Sequence, residues 1–151
     1  MNFSSTTKNF ALVAAGALVI AVGSTGTAAE EEVAKNPALL DAALATEKAP
    51  DTYKVRINTT AGEFTIEVHR DWAPIGADRF YNLVDIGYFD DIRPFRNIAG
   101  FMVQFGINGH GAVNEVWSES RIDDEPVKMG NKRGIITFAK CGMPNCRSTQ
   151  V

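Results

Sequence analysis

Only two cysteines and two histidines occur among the 151 residues of this chain. That supply is too thin for a zinc site, which draws on several Cys and His ligands at set spacings, and no metal or other cofactor is expected. Positive charge is scarce as well. The formal net charge is −3 and no basic patch stands out, which argues against a nucleic-acid partner. Long apolar runs are nearly absent, the longest being the thirteen residues Phe10–Val22, short of the about 20 that cross a bilayer. No internal repeat and no low-complexity tract occurs. What remains is 45% hydrophobic and 22% charged residues, an ordinary globular composition in a length that suits one domain.

The thirteen-residue run has its own meaning. Lys8 precedes it and the small residues Gly23–Ala29 follow it, the order of a secretory leader cut after Ala29. The alternative is an uncleaved N-terminal anchor. Residues 1–29 are therefore expected to be a signal peptide of bacterial type, and the product exported, periplasmic or secreted, with no stable membrane span once the leader is gone. Residues 30–151 hold 14 Lys and Arg against 18 Asp and Glu, a net charge of −4. In an oxidising compartment Cys141 and Cys146 could pair. Their spacing also suits two free thiols or, at a distance, a redox-active pair.

Residues 30–51 read as an acidic, alanine-rich arm. Leu39, Leu40, Ala43 and Leu44 fall at helical spacing, which predicts a short helix over Pro37–Glu47. From residue 52 a domain begins. Tyr53, Val55 and Ile57 alternate with Lys54, Arg56 and Asn58, and Phe64, Ile66 and Val68 repeat the alternation after the turn at 60–63, predicting a β-hairpin. A helix is predicted to start around Asp71–Pro74, to carry Phe80, Leu83 and Val84 inward, and to close at Gly87. Ile107–Lys132 lacks a clear period and reads as a long structured loop with Trp117 packed beneath it. Gly134–Ala139 reads as a strand, Lys140–Thr149 as a turn-rich loop, and Gln150-Val151 as the start of another strand.

Between helix and loop lies Phe95–Gly106, mostly apolar but carrying one guanidinium, Arg96, and one amide, Gln104. Two short strand-like runs, Phe95–Ile98 and Phe101–Phe105, are divided by Ala99-Gly100. Alternation places Phe101, Val103 and Phe105 on one face and Met102 with Gln104 on the other. A charged donor beside an apolar surface suits an uncharged peptide better than a phosphate.

This stretch resembles the signature of the cyclophilin-type peptidyl-prolyl isomerases, Phe-His-Arg-x-Ile/Val-Pro-Gly-Phe-x-x-Gln-x-Gly. Residues 77–84 resemble that family's first helix, and residues 134–139 with 142–150 resemble its second groove segment. The match runs over about residues 53–151. Departures fit a divergent exported bacterial branch: Pro94-Phe95 stands for Phe-His, Ala99 for the signature proline, Phe105 and Ile107 for a glycine and an aspartate, and Cys146 for a hydroxyl residue, while Met143 looks inserted. The resemblance implies a mainly β fold, an antiparallel barrel with a capping helix. About five of eight strands are expected in residues 52–151, with the last three, a second pocket phenylalanine, a groove tryptophan and a groove histidine falling past Val151. It also implies Arg96 as the catalytic residue, Phe101 and Met102 as the wall of a proline pocket, and Gln104 as a backbone-binding amide. Ala139 and the backbone of Lys140 complete the implied peptide contacts.

Three readings follow: an isomerase for exported clients, acting as a monomer on proline-containing segments; a non-catalytic proline-peptide binder or holdase; and an inactive fragment. With strands missing, weak or no turnover is the expectation for these 151 residues.

Overall fold

The structure, a computed structural model, describes residues 36–151 and the backbone of residues 2–4. Apart from those three residues, the leader expected over residues 1–29 lies outside the described part.

Strands β1 (Asn2–Ser4), β2 (Thr52–Thr59) and β3 (Gly62–His69) form an antiparallel sheet in that order. The β2–β3 hairpin is built as its alternation demands. Val55 and Ile57 are buried, while Lys54 and Arg56 stay in water and pair with Glu67 and Glu63 at 3.3 and 3.4 Å. Gly62, at φ +131, takes the turn position that disfavours a side chain, and the Thr59 hydroxyl donates to its carbonyl at 2.8 Å. On the other edge of β2, Asn2 lies opposite Asn58 and Ser4 opposite Arg56.

Helix α1 (Pro74–Asp85) follows, with proline in its first turn, where no intrahelical donor is lost. Its free N–H groups at Ile75 and Gly76 donate to the two carboxylate oxygens of Glu125, at 2.6 and 2.9 Å, so a distant acid caps it. Gly87, at φ +77, ends the helical stretch. Ala77, Phe80, Leu83 and Val84 face the sheet. Phe80, Leu83 and Val84, together with Val55, Ile57, Tyr88, Phe89, Phe105, Val113 and Trp117, make one core. Fully burying a side chain of this size stabilises by about 1.5–3 kcal/mol.

Three sequence expectations need correction. Where one helix is expected over Pro37–Glu47, the chain makes two 3-10 turns, Pro37–Leu39 and Ala42–Leu44. In an α-helix the Leu39 carbonyl would accept from Ala43 N. Instead it accepts from Trp117 Nε1 at 3.1 Å, and Ala43 N donates to Asp41 Oδ1 at 3.0 Å. Tertiary and capping bonds have replaced the helical one.

The expected loop at Ile107–Lys132 contains helix α2 (Gly111–Glu119). Val113 and Trp117, one turn apart, are its buried face. Gly134–Ala139, expected as a strand, is extended but unladdered. Ile135 N closes a turn onto Lys132 O at 3.0 Å, and Ile135 and Ile136 remain partly exposed. The barrel, expected to be incomplete over residues 52–151, is not closed. The described residues form the three-stranded sheet and a separate two-stranded one, β4 (Arg96–Ile98) with β5 (Met102–Gln104).

Candidate functional site

The β4–β5 hairpin places two polar side chains face to face. Arg96 is directly opposite Gln104, and Ile98 opposite Met102. Residues opposite one another in an antiparallel pair share a face. Arg96, Met102 and Gln104 therefore lie on one side of the hairpin. Arg96 Nη1 donates to Gln104 Oε1 at 3.4 Å, a long bond, and Gln104 Nε2 donates to Gln150 Oε1 at 2.9 Å. Those two bonds fix which way the Gln104 amide points. Gln104 is only 8% exposed, whereas Arg96 is open to solvent. Among the described residues no carboxylate pairs with Arg96, so its charge is not absorbed by a surface ion pair.

The chain beyond β5 is laid alongside it. Phe105 and Val151 exchange both backbone hydrogen bonds, at 2.9 and 3.0 Å, and Ala139 N donates to Gln150 O at 2.8 Å. An extended rung at 150–151 thus joins β5 to Ala139. Gly106 makes this approach feasible. At φ +110, a Cβ there would stand 2.4 Å from the Thr149 carbonyl oxygen, closer than real contacts allow. The Gly106 carbonyl accepts from the Thr149 hydroxyl at 2.9 Å and from the Tyr88 hydroxyl at 3.2 Å. Burial of Tyr88 pushes its phenol pKa up, so this bond persists well into alkaline conditions.

Arg96, Met102, Gln104 and Ala139 are thus gathered around one rung. Phe101 sits in the β4–β5 turn and is 76% exposed, an aromatic ring left to water. The Lys140 ammonium does not join them; it pairs with Asp124 Oδ2 at 2.5 Å, leaving only its backbone beside Ala139. Cys141 and Cys146 are joined by a disulfide just beyond it. Gln150 is the member that residue-by-residue reading passed over. Its signal was present, since it closes the second resembling segment, but only the fold brings it to Gln104.

A cavity of about 630 Å³ lies between β3, α1 and residues 134–138, walled by Phe64, Val68, Phe80 and Phe138 and bordered by Phe105 and Val151 of the rung. Arg96, Phe101, Met102 and Gln104 do not line it. Among the described residues no cluster of three or more His, Cys, Asp or Glu could hold a metal ion, and no helix is long and apolar enough to cross a membrane.

What this hairpin can do chemically is hold a permanent cation at a fixed place beside a solvent-facing apolar surface, its partner amide oriented from behind. Comparison with known proteins gives that geometry a context. Residues 41–150 match the family described as "Cyclophilin type peptidyl-prolyl cis-trans isomerase/CLD". The chain is 36% identical over 99 residues to the "Peptidyl-prolyl cis-trans isomerase-like 2" of Emericella nidulans, covering 63% of this chain and 17% of that protein. It is 32% identical to the "Peptidyl-prolyl cis-trans isomerase CYP65" of Arabidopsis thaliana, over 64% of this chain and 16% of that protein. With the "Peptidyl-prolyl cis-trans isomerase-like 3" of Dictyostelium discoideum it shares 30% identity over 64% of this chain and 61% of that protein. The chain therefore spans less than two thirds of the length of each of these relatives. No solved structure matches it significantly.

Proposed function

The chain belongs to the cyclophilin-type peptidyl-prolyl cis-trans isomerase family, and from that premise we propose that it isomerises X-Pro bonds in exported proteins through Arg96. The barrier to peptide rotation is about 18–20 kcal/mol and comes from amide resonance. Unaided, an X-Pro bond turns over in tens to hundreds of seconds. When the bond twists, resonance breaks and the proline nitrogen gains a lone pair that the planar amide lacks. A hydrogen-bond donor aimed at that nitrogen stabilises the twisted state and leaves the planar one alone. Arginine suits the task because it stays charged and its donors form a rigid fork.

The observation that carries this reading is the line Arg96–Gln104–Gln150, in which a solvent-facing guanidinium leans on a buried, oriented amide. Gln104 would take the substrate backbone, Phe101 and Met102 would cover the proline ring, and the chain at Ala139-Lys140 would bind the peptide alongside. The Cys141–Cys146 disulfide supports an oxidising compartment, in keeping with the leader read over residues 1–29.

The test is a protease-coupled isomerisation assay on the chain, Arg96→Ala and Arg96→Lys. Removing a transition-state donor of this kind lowers turnover about 10²–10³-fold, here with little change in melting temperature. Equal rates for Arg96→Ala and the parent chain would remove the enzyme. A second reading, a proline-peptide binder without turnover, draws on the exposure of Phe101 and on the absence of Arg96 from the lining of the 630 Å³ cavity. Saturable binding of a proline peptide without acceleration would select it.

A further inference from the structure

The Cys141–Cys146 disulfide closes a small loop whose two arms lead straight into the candidate site. Before the loop stands Ala139, whose N–H donates to Gln150 O at 2.8 Å. After it the chain runs through Arg147 and Thr149 to Gln150, whose side chain orients Gln104. The outer side of the loop is docked on residues 122–125. Asp124 N donates to Asn145 Oδ1 at 2.7 Å, Asn145 N returns a bond to Asp124 Oδ2 at 3.2 Å, and Ile122 N donates to Arg147 O at 2.9 Å. Asn145, a residue type that tolerates it, holds a left-handed backbone at φ +52 inside the loop.

We infer that this disulfide is a redox-sensitive positioning staple for the site: oxidised, it holds the Ala139 and Gln150 arms in register with Gln104; reduced, it releases them and weakens catalysis. Cys141 is exposed, so a small dithiol reductant can reach it. Its thiolate attacks one sulfur of the pair and the Cys141–Cys146 bond breaks. Its second thiol then resolves the mixed disulfide, so the chain gains two electrons and two protons while the reductant leaves as its own disulfide. The chain has no other cysteine, so the reductant has a single target. Opening the covalent loop restores conformational freedom that the staple removes, and only the non-covalent contacts of Asn145, Arg147 and Lys140 with residues 122–125 then hold it. The catalytic consequence rests on the isomerase reading; the local one does not.

The experiment measures two things on the whole chain, oxidised, reduced with dithiothreitol, and re-oxidised, beside a Cys141→Ser/Cys146→Ser double variant. The first is amide hydrogen exchange at Ala139 and Val151, read against the β2–β3 hairpin as an internal reference. Reduction is expected to speed exchange at Ala139 by about tenfold or more while the hairpin is unchanged. The second is kcat/KM on a proline peptide, expected to fall about threefold to tenfold on reduction and to return on re-oxidation, with the double variant resembling the reduced chain under all conditions. Exchange at Ala139 that ignores the redox state overturns the staple. Arg96-dependent turnover that is measurable and equal in the oxidised, reduced and double-variant proteins overturns its catalytic role. Exchange that responds in a chain with no Arg96-dependent turnover in either state overturns the isomerase reading and leaves the staple standing.

Discussion

Strands β2 and β5 obey opposite rules. In β2 the apolar Val55 and Ile57 are buried and the charged Lys54 and Arg56 face water. In β5 the polar Gln104 is buried, Val103 is 51% exposed, and Phe101 just before it is 76% exposed. The first arrangement is what the hydrophobic effect alone would build. The second leaves apolar surface uncovered, and its buried polar group is tied by two hydrogen bonds. The difference separates what holds the protein together from what it presents to others. Exposed aromatic surface beside an oriented amide and a cation suits the peptide-binding role proposed for this face.

That contrast can be broken most forcefully on the packed side. Trp117 is nearly inaccessible, packs 5.8 Å from Tyr88 by ring centroid, and donates to the Leu39 carbonyl. Trp117→Ala is expected to lower unfolding free energy by about 3–5 kcal/mol in urea titration. A loss below about 1 kcal/mol would mean that α2 is not part of the core. Next is the junction between the two regions. Gly106→Ala must either push the Thr149 carbonyl away or leave its left-handed backbone. The expected cost is about 1–3 kcal/mol, visible in the melting temperature, and the rung at Phe105–Val151 should show it as faster amide exchange.

On the open side the expectation reverses. Phe101→Ala should change stability by no more than about 0.5 kcal/mol. It should nevertheless weaken binding of a proline-containing peptide by about 1 kcal/mol or more in calorimetric titration. A variant that loses stability but binds normally would show that Phe101 serves the fold. The smallest effect concerns Asp78. The Arg70 guanidinium, bonded through two nitrogens at 2.7 Å each, holds its carboxyl below the ordinary aspartate range, helped by the Ala49 N–H. A carboxylate depressed in the folded state stabilises the protein above its unfolded pKa of about 3.9, and that contribution is lost as pH falls through the folded value. Acid titrations of the parent and Asp78→Asn should therefore be separated above about pH 4 and converge only as pH falls through the folded value. The gap will be modest, because the pair is reached by solvent.

Much of the frame is readable from residue order alone. The β2–β3 alternation, the proline-started and glycine-ended α1, and the grouping of Met102 with Gln104 on one face follow from period and turn chemistry. Three segments were not so readable. Gly134–Ala139 has a strand's composition, yet a strand is defined by a partner, and none of the described residues pairs along it. Helix α2 hid because Gly109 precedes it, Gly111 begins it, and only Val113 and Trp117 are buried. Pro37–Glu47 has a helix's spacing, but Asp41 and Trp117 compete for the groups that a helix would have paired.

Residue order by itself determined the local periods, the turns and the kinds of side chain available at the hairpin, because those depend on neighbours within a few positions. Tertiary structure alone decided that Gln150 orients Gln104, that Glu125 caps α1, and that Gly106 lets Thr149 pass. Each joins groups more than forty residues apart in the chain. Contacts of that span carry no periodic signature, and they form only when the burial of Ile57, Leu83, Phe89 and Trp117 has brought the distant segments together.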